Sequence, residues 1–245
     1  MRTLIQSLLS LSVVALLACG QNAPVDPTGP NTPVPDEQAP EFEGGGQQAP
    51  VGAQVYPGPY GIGVGSVIPN YTFYGYPRAS LAKGELTPVT LSDFYNPTGE
   101  DVYPDNSPYG AGTKKPKALV LDRSAVWCGP CVHEATNVIP PMRQKYEGNG
   151  GEFFVTLDDG PKAGTRATAA DLLQWVNRFN INYPAVIDPN ATLSAIVGYD
   201  AYPGNVIIRT KDMKIVHWEA GVPQAAFWSK FEAVLNGEPM LPGDQ

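Results

Sequence analysis

Two adjoining stretches, Ala118-Leu119-Val120-Leu121 and Trp127-Cys128-Gly129-Pro130-Cys131, constrain this chain more than any other part of it. Four apolar residues in a row read as a short buried strand. Two thiols three residues apart around a Gly-Pro dipeptide read as a tight turn opening a helix. A thiolate there meets unpaired backbone N–H groups and the positive end of the helix dipole. That setting lowers a cysteine pKa from ~8.5 toward ~7 or below, and the thiolate is the nucleophile. Strand, turn, helix is the context in which this motif means redox chemistry.

The chain has three cysteines, Cys19, Cys128 and Cys131. Arg2, the apolar stretch from Leu4 to Leu17 and a small residue at Ala18 form a secretory signal pattern. The stretch is shorter than the ~20 apolar residues of a transmembrane helix. Leu16-Leu17-Ala18-Cys19 resembles the bacterial lipobox, so residues 1–18 are expected to be removed and Cys19 to be lipidated. By resemblance to known sorting patterns, Gly20 after the cysteine points to the outer membrane. With Cys19 consumed, the only thiols left are the pair. An exported compartment permits disulfides, but one pair makes no structural framework.

The formal net charge is −8. Nothing is basic enough to suggest nucleic acid, and an acidic surface promotes solubility. Nine of the 36 residues from Pro24 to Pro59 are proline, broken by Gly44-Gly45-Gly46. This composition cannot bury enough apolar surface to offset ordering entropy, so residues 19–65 are assigned to a lipidated tether. Gly61, Gly63 and Gly65 faintly suggest a phosphate loop, but no helix follows, and they read as a loop or edge segment. One α/β domain is expected over residues 66–245.

Within it, Val67 to Tyr76 and Pro88 to Leu91 are β-prone, and Ser92-Asp93-Phe94 reads as a helical turn. Residues 96–116 form a loop long enough to be either mobile or functional. A helix should run from Pro130 to Tyr146, with Pro140-Pro141 kinking or breaking it. Strands are expected at Phe153 to Leu157, Ala185 to Ile187, Asn205 to Ile208 and Ile215 to Trp218, the last two around Thr210-Lys211-Asp212. Helices are expected at Ala167 to Phe179, at Thr192 to Val197 and from Pro223, a favoured first helical position, to Gly237.

The element order and the Trp-Cys-Gly-Pro-Cys run resemble the thioredoxin superfamily, and within it the TlpA/ResA-like and AhpC/TSA-type redoxins. The resemblance covers about Ile68 to Leu235. Val89-Thr90-Leu91-Ser92-Asp93-Phe94, Tyr183-Pro184-Ala185-Val186-Ile187-Asp188, Tyr202-Pro203-Gly204-Asn205-Val206-Ile207 and Gly221 match family segments in the correct order. It implies a central mixed sheet flanked by helices and a thiol–disulfide oxidoreductase needing no cofactor and no metal. It implies that Cys128 is the exposed nucleophile, that Cys131 resolves, and that Pro203 is a cis-proline presenting the backbone of Tyr202 to substrate. Asp122, six residues before Cys128, stands where thioredoxin has a buried aspartate that accepts the proton of the second thiol; a solvated Asp beside Arg123 is the alternative. The Gly-Pro dipeptide is that of thioredoxin, at ~−270 mV against ~−120 mV for a strong oxidant, which favours the reductase or isomerase direction. Partners implied are disulfide- or thiol-containing envelope proteins and an upstream thiol–disulfide electron donor, with the membrane reached through the lipid anchor. Arg123-Ser124 departs from the family's aromatic pair, and Thr136 from its kinking proline.

Other residues are open to two readings. Trp127 is either core or a contact surface for the incoming disulfide. Glu134 either tunes the thiols, as a glutamate at this place does in the family, or is a surface charge. His133 reads as a solvated helix residue and Asp158-Asp159 as a solvated loop. Two other activities compete. A thiol peroxidase would need Thr where Ala125 stands. A non-enzymatic binding lipoprotein would not need both thiols.

Overall fold

Strand β4 (Ala118–Ala125) is buried at all eight positions. A strand covered on both faces needs no polar alternation, which is why its apolar run is continuous. The computed structural model describes residues 47–48, 56–78, 82 and 85–244. The signal segment, Cys19 and most of the tether lie outside the described residues. The described residues belong to one compact unit.

The other strands are β1 (Gln47–Gln48), β2 (Tyr71–Tyr76), β3 (Thr87–Thr90), β5 (Gly151–Asp159), β6 (Ala185–Ile187), β7 (Gly204–Arg209) and β8 (Lys214–Ala220). They form one mixed sheet in the order β1-β2-β6-β5-β4-β7-β8, with β3 paired to β2. β4 is parallel to β5 and β5 to β6, whereas β7 is antiparallel to both β4 and β8. Alternation along β4 sends Val120 into one apolar layer, with Phe153, Val155, Trp175, Phe227 and both motif cysteines. Leu119 and Leu121 enter the other, with Phe94, Phe154, Val206 and Ile208.

Helices α1 (Gly129–His133) and α2 (Ile139–Tyr146) are joined by a π turn, Glu134–Val138. Pro140-Pro141 therefore neither breaks nor ends the helix. Both prolines fall in the first turn of α2, where missing N–H groups cost least. The π turn carries the change of register, with Ile139 N–H donating to Glu134 O. Helix α3 (Ala169–Arg178) is capped by Thr168, whose Oγ accepts from Asp171 N–H at 3.2 Å while Asp171 accepts from Thr168 N–H at 2.9 Å. Helix α4 (Ser194–Val197) is short, and α5 (Ala225–Leu235) starts after Gln224. Pro223 thus precedes the helix instead of opening it.

The packed region begins earlier than Ser66. Tyr56 is fully buried, its ring edge-on to Tyr60 at 5.9 Å and tilted against Tyr95 at 5.7 Å. Gly65 N–H donates to Ile215 O, so the segment assigned to the end of the tether lies along β8. The reason is aromatic area: a tyrosine buries enough surface to order a proline- and glycine-rich stretch. The loop 96–116 is tied down as well. Asn96 is buried and its Nδ2 donates to Lys115 O and Pro116 O at 3.1 Å. Tyr103 and Tyr109 stack at 5.3 Å within the second layer.

Candidate active site

The Cys pair sits where β4 turns into α1. Cys128 is the N-cap residue, and its Sγ accepts the N–H of Cys131 at 3.1 Å. The two are joined as a disulfide with Cα atoms 5.2 Å apart. Gly129 and Pro130 are exposed, while Cys128 and Cys131 are 2 % and 0 % exposed. The expectation of an exposed Cys128 does not hold for this disulfide state. Its sulfur is turned inward by its bond to Cys131 and by the cap. Trp127, 42 % exposed, is the outer surface of the turn, which decides against a core role.

Two carboxyls close to the pair in sequence are buried as well. Asp122 is 5 % exposed, with Ser124 Oγ 2.9 and 3.1 Å from its oxygens. Burial pushes its pKa up to about 7, and the Ser124 bond opposes part of that rise. A solvated Asp is thereby excluded. Glu134 is 0 % exposed in the π turn, so it is not a surface charge. Its Oε2 accepts from Asn205 Nδ2 at 3.4 Å, and its Oε1 has no partner. Burial first, and then the Asp122 charge, hold its carboxyl well above the usual range. Asn205 pairs with Asp122 across β4 and β7 and also donates to Gly221 O at 3.3 Å. Two carboxyls in one apolar layer shed protons as a coupled pair.

Pro203 lies one residue beyond the Arg123–Gly204 pair of β4 and β7, and the Tyr202–Pro203 bond is cis. Pro203 O accepts Gly221 N–H at 2.7 Å. Tyr202 packs against the layer that holds both cysteines, and its ring meets Trp127 edge-on at 5.5 Å. The structure thus gathers Asp122, Trp127, Cys128, Cys131, Tyr202 and Pro203 at the ends of β4 and β7.

Three residues outside that set belong to the same neighbourhood. Asp158 is no solvated loop residue: it is the second-last residue of β5, is 2 % exposed, and accepts from Arg123 Nε at 2.6 Å. Asp159 accepts from Trp127 Nε1 and from Gly164 N–H, each at 2.9 Å. Arg123, 1 % exposed, faces the layer opposite Asp122. The available signal was a cation inside an apolar strand, which must find a buried partner. His133 is exposed and pairs with Asn137.

A mixed sheet with a Cys-x-x-Cys turn at the end of a central strand and a cis-proline before the next strand is the thioredoxin-like fold. No protein-family model matches the sequence, and no curated protein is similar to it. Among solved structures, a hypothetical protein of Sinorhizobium meliloti 1021 is 14 % identical, with 73 % of this chain and 87 % of that one covered and a TM-score of 0.50. The protein assigned as thiol:disulfide interchange protein DsbE of Chlorobium tepidum is 20 % identical, covering 69 % and 95 %, with a TM-score of 0.48. The thioredoxin domain of a thiol-disulfide oxidoreductase of Bacteroides vulgatus is 16 % identical, covering 71 % and 98 %, with a TM-score of 0.46. The first of these is a likeness of fold alone.

Proposed function

We propose that this chain is a thiol–disulfide oxidoreductase that exchanges its Cys128–Cys131 pair with protein partners of the bacterial cell envelope. The observation that carries the reading is the disulfide itself, capping the N-terminus of α1 on the side of β4 to which buried Asp122 also belongs. In the reductase direction the Cys128 thiolate attacks a partner disulfide. That S–S bond breaks, a mixed disulfide forms, and one partner thiolate leaves and takes up a proton. The Cys131 thiol gives its proton to ionised Asp122 and attacks the Cys128 sulfur. The second partner sulfur departs as a thiolate that takes up a proton, and two electrons have passed to the partner. The disulfide seen here is the product of that half-reaction. An upstream dithiol donor reduces it and so restores the dithiol.

Pro203 and Tyr202 form the edge along which the partner chain lies beside Cys128, and Trp127 offers an apolar contact. The thioredoxin-type Gly-Pro dipeptide supports the reductase or isomerase direction, which the potential of the purified domain would measure. The lipobox-like segment supports anchoring through Cys19 with the domain in the periplasm.

Trapping tests the assignment. Cys131→Ser should accumulate mixed disulfides with envelope proteins on a non-reducing gel, and Cys128→Ser should not. The reverse pattern would overturn it. Insulin reduction by the wild type is expected, whereas peroxide consumption without insulin reduction would favour a thiol peroxidase.

A further inference from the structure

Arg123 is the largest side chain among those fully buried. It sits on the layer opposite the carboxyls, so it takes no part in the proton transfer above. Its guanidinium spends its donors on one segment. Nη1 donates to Gly198 O at 2.9 Å, Tyr199 O at 3.2 Å and Ala201 O at 3.1 Å. Nη2 donates to Tyr202 Oη at 2.8 Å, and the guanidinium carbon lies 4.0 Å from the centre of that ring. Nε holds Asp158, which anchors the group to the end of β5.

The segment so held, 198–202, runs straight into Pro203. Its own backbone bonding is slight: Gly198 N–H reaches Ser194 O at 2.8 Å and Ala201 N–H reaches Gly198 O at 3.3 Å. Tyr199 is 75 % exposed at its outer turn. Three carbonyls of one short segment converge on a single cation, which replaces the ladder that a strand would supply. Because Tyr202 meets Trp127, the same cation also sets the aromatic contact beside Cys128.

We propose that Arg123 is a positioning residue that pre-shapes the 198–203 edge for an extended peptide segment of the partner, and so sets affinity for protein disulfides rather than the sulfur chemistry. The inference rests on the thiol–disulfide reading above. A planar fork with five donors is required, since a lysine ammonium cannot span three carbonyls and a phenol at once. A small disulfide needs only the Cys128 sulfur and makes no use of the edge.

The test compares the wild type, Arg123→Lys and the double variant Arg123→Met/Asp158→Leu. The double variant removes both buried charges together, because Arg123→Met alone would strand Asp158. The substrates are a disulfide-linked peptide of about ten residues and 5,5′-dithiobis(2-nitrobenzoate). In Arg123→Lys, KM for the peptide should rise about tenfold, with kcat and the rate on the small disulfide within about twofold of wild type. The double variant, if folded, should show the same split. Equal losses on both substrates, or none on either, would overturn the proposal; Arg123→Lys decides if the double variant does not fold. Should the wild type attack neither disulfide, the thiol–disulfide reading fails instead. Amide exchange at Gly198 and Ala201 then still decides whether Arg123 holds the segment: faster in Arg123→Lys supports it, unchanged overturns it.

Discussion

Asp122 carries the clearest thermodynamic consequence at the scale of one residue. Its carboxyl titrates near 4 when unfolded and at about 7 in the fold, chiefly through burial. Between those values the folded chain holds the extra proton, so this group's contribution to stability falls as pH rises through the window and is gone above about 7. Asp122→Asn should therefore match wild type in unfolding free energy near pH 4. It should exceed it by on the order of 3 kcal/mol at pH 8, as read by urea denaturation of the oxidised protein. A variant less stable than wild type at pH 8 would contradict the burial argument. The same change should slow release of the mixed disulfide at neutral pH while leaving the first attack by Cys128 nearly intact. Stopped-flow with a fluorescent disulfide separates the two steps, and equal release rates from pH 6 to 9 would remove Asp122 from the mechanism.

Elements are held by different kinds of constraint, and each has its own signature. The Thr168–Asp171 box at the start of α3 is local, and Thr168→Ala should cost about 1 kcal/mol in unfolding free energy. Gly75 in β2 is constrained by the neighbouring strand. A Cβ there would come 2.2 Å from Ala185 O and 2.5 Å from the Cα of Val186, both of them backbone. Nothing flexible can yield, so Gly75→Ala should cost about 3 kcal/mol, more than the cap, by forcing β2 from β6. A smaller loss than Thr168→Ala would show that this pairing relaxes. The π turn between α1 and α2 is a third case. Its extra residue lets the proline pair follow without ending the helix.

For the whole molecule, the reactive end and the proposed anchor are separate tasks. The thiols, the carboxyls and the Tyr202 edge all belong to residues beyond 118, whereas the proposed lipidation site is Cys19. Cys19→Ser should move the protein from the detergent to the aqueous phase and leave the unfolding midpoint of the domain unchanged. Recovery of the native protein in the aqueous phase would contradict the lipid anchor. Among the described residues no helix is long and apolar enough to cross a membrane.

The redox turn was legible in the sequence because its physics is local: an apolar strand, a Gly-Pro turn and a helix N-terminus lie within fourteen consecutive residues, 118–131. Asp122 could be placed near the pair for the same reason, by its spacing along β4. Which of its two environments it occupies depends on neighbours such as β7, whose Asn205 pairs with it across the sheet from 83 positions away. Glu134 shows what spacing alone leaves open: three residues beyond buried Cys131 it shares that helix face, and only the packing around the helix decides that a carboxyl is buried there. Arg123 and Asp158 are 35 positions apart, and Arg123 and Tyr202 are 79 apart. No local pattern links them. A buried cation announces only that partners must exist; the strand order brings β5 to one side of it and the 198–202 segment to the other. The sequence by itself determined the chemistry available to this protein. The tertiary structure decided which buried groups meet it, because burial and charge pairing depend on neighbours that the chain supplies from far away.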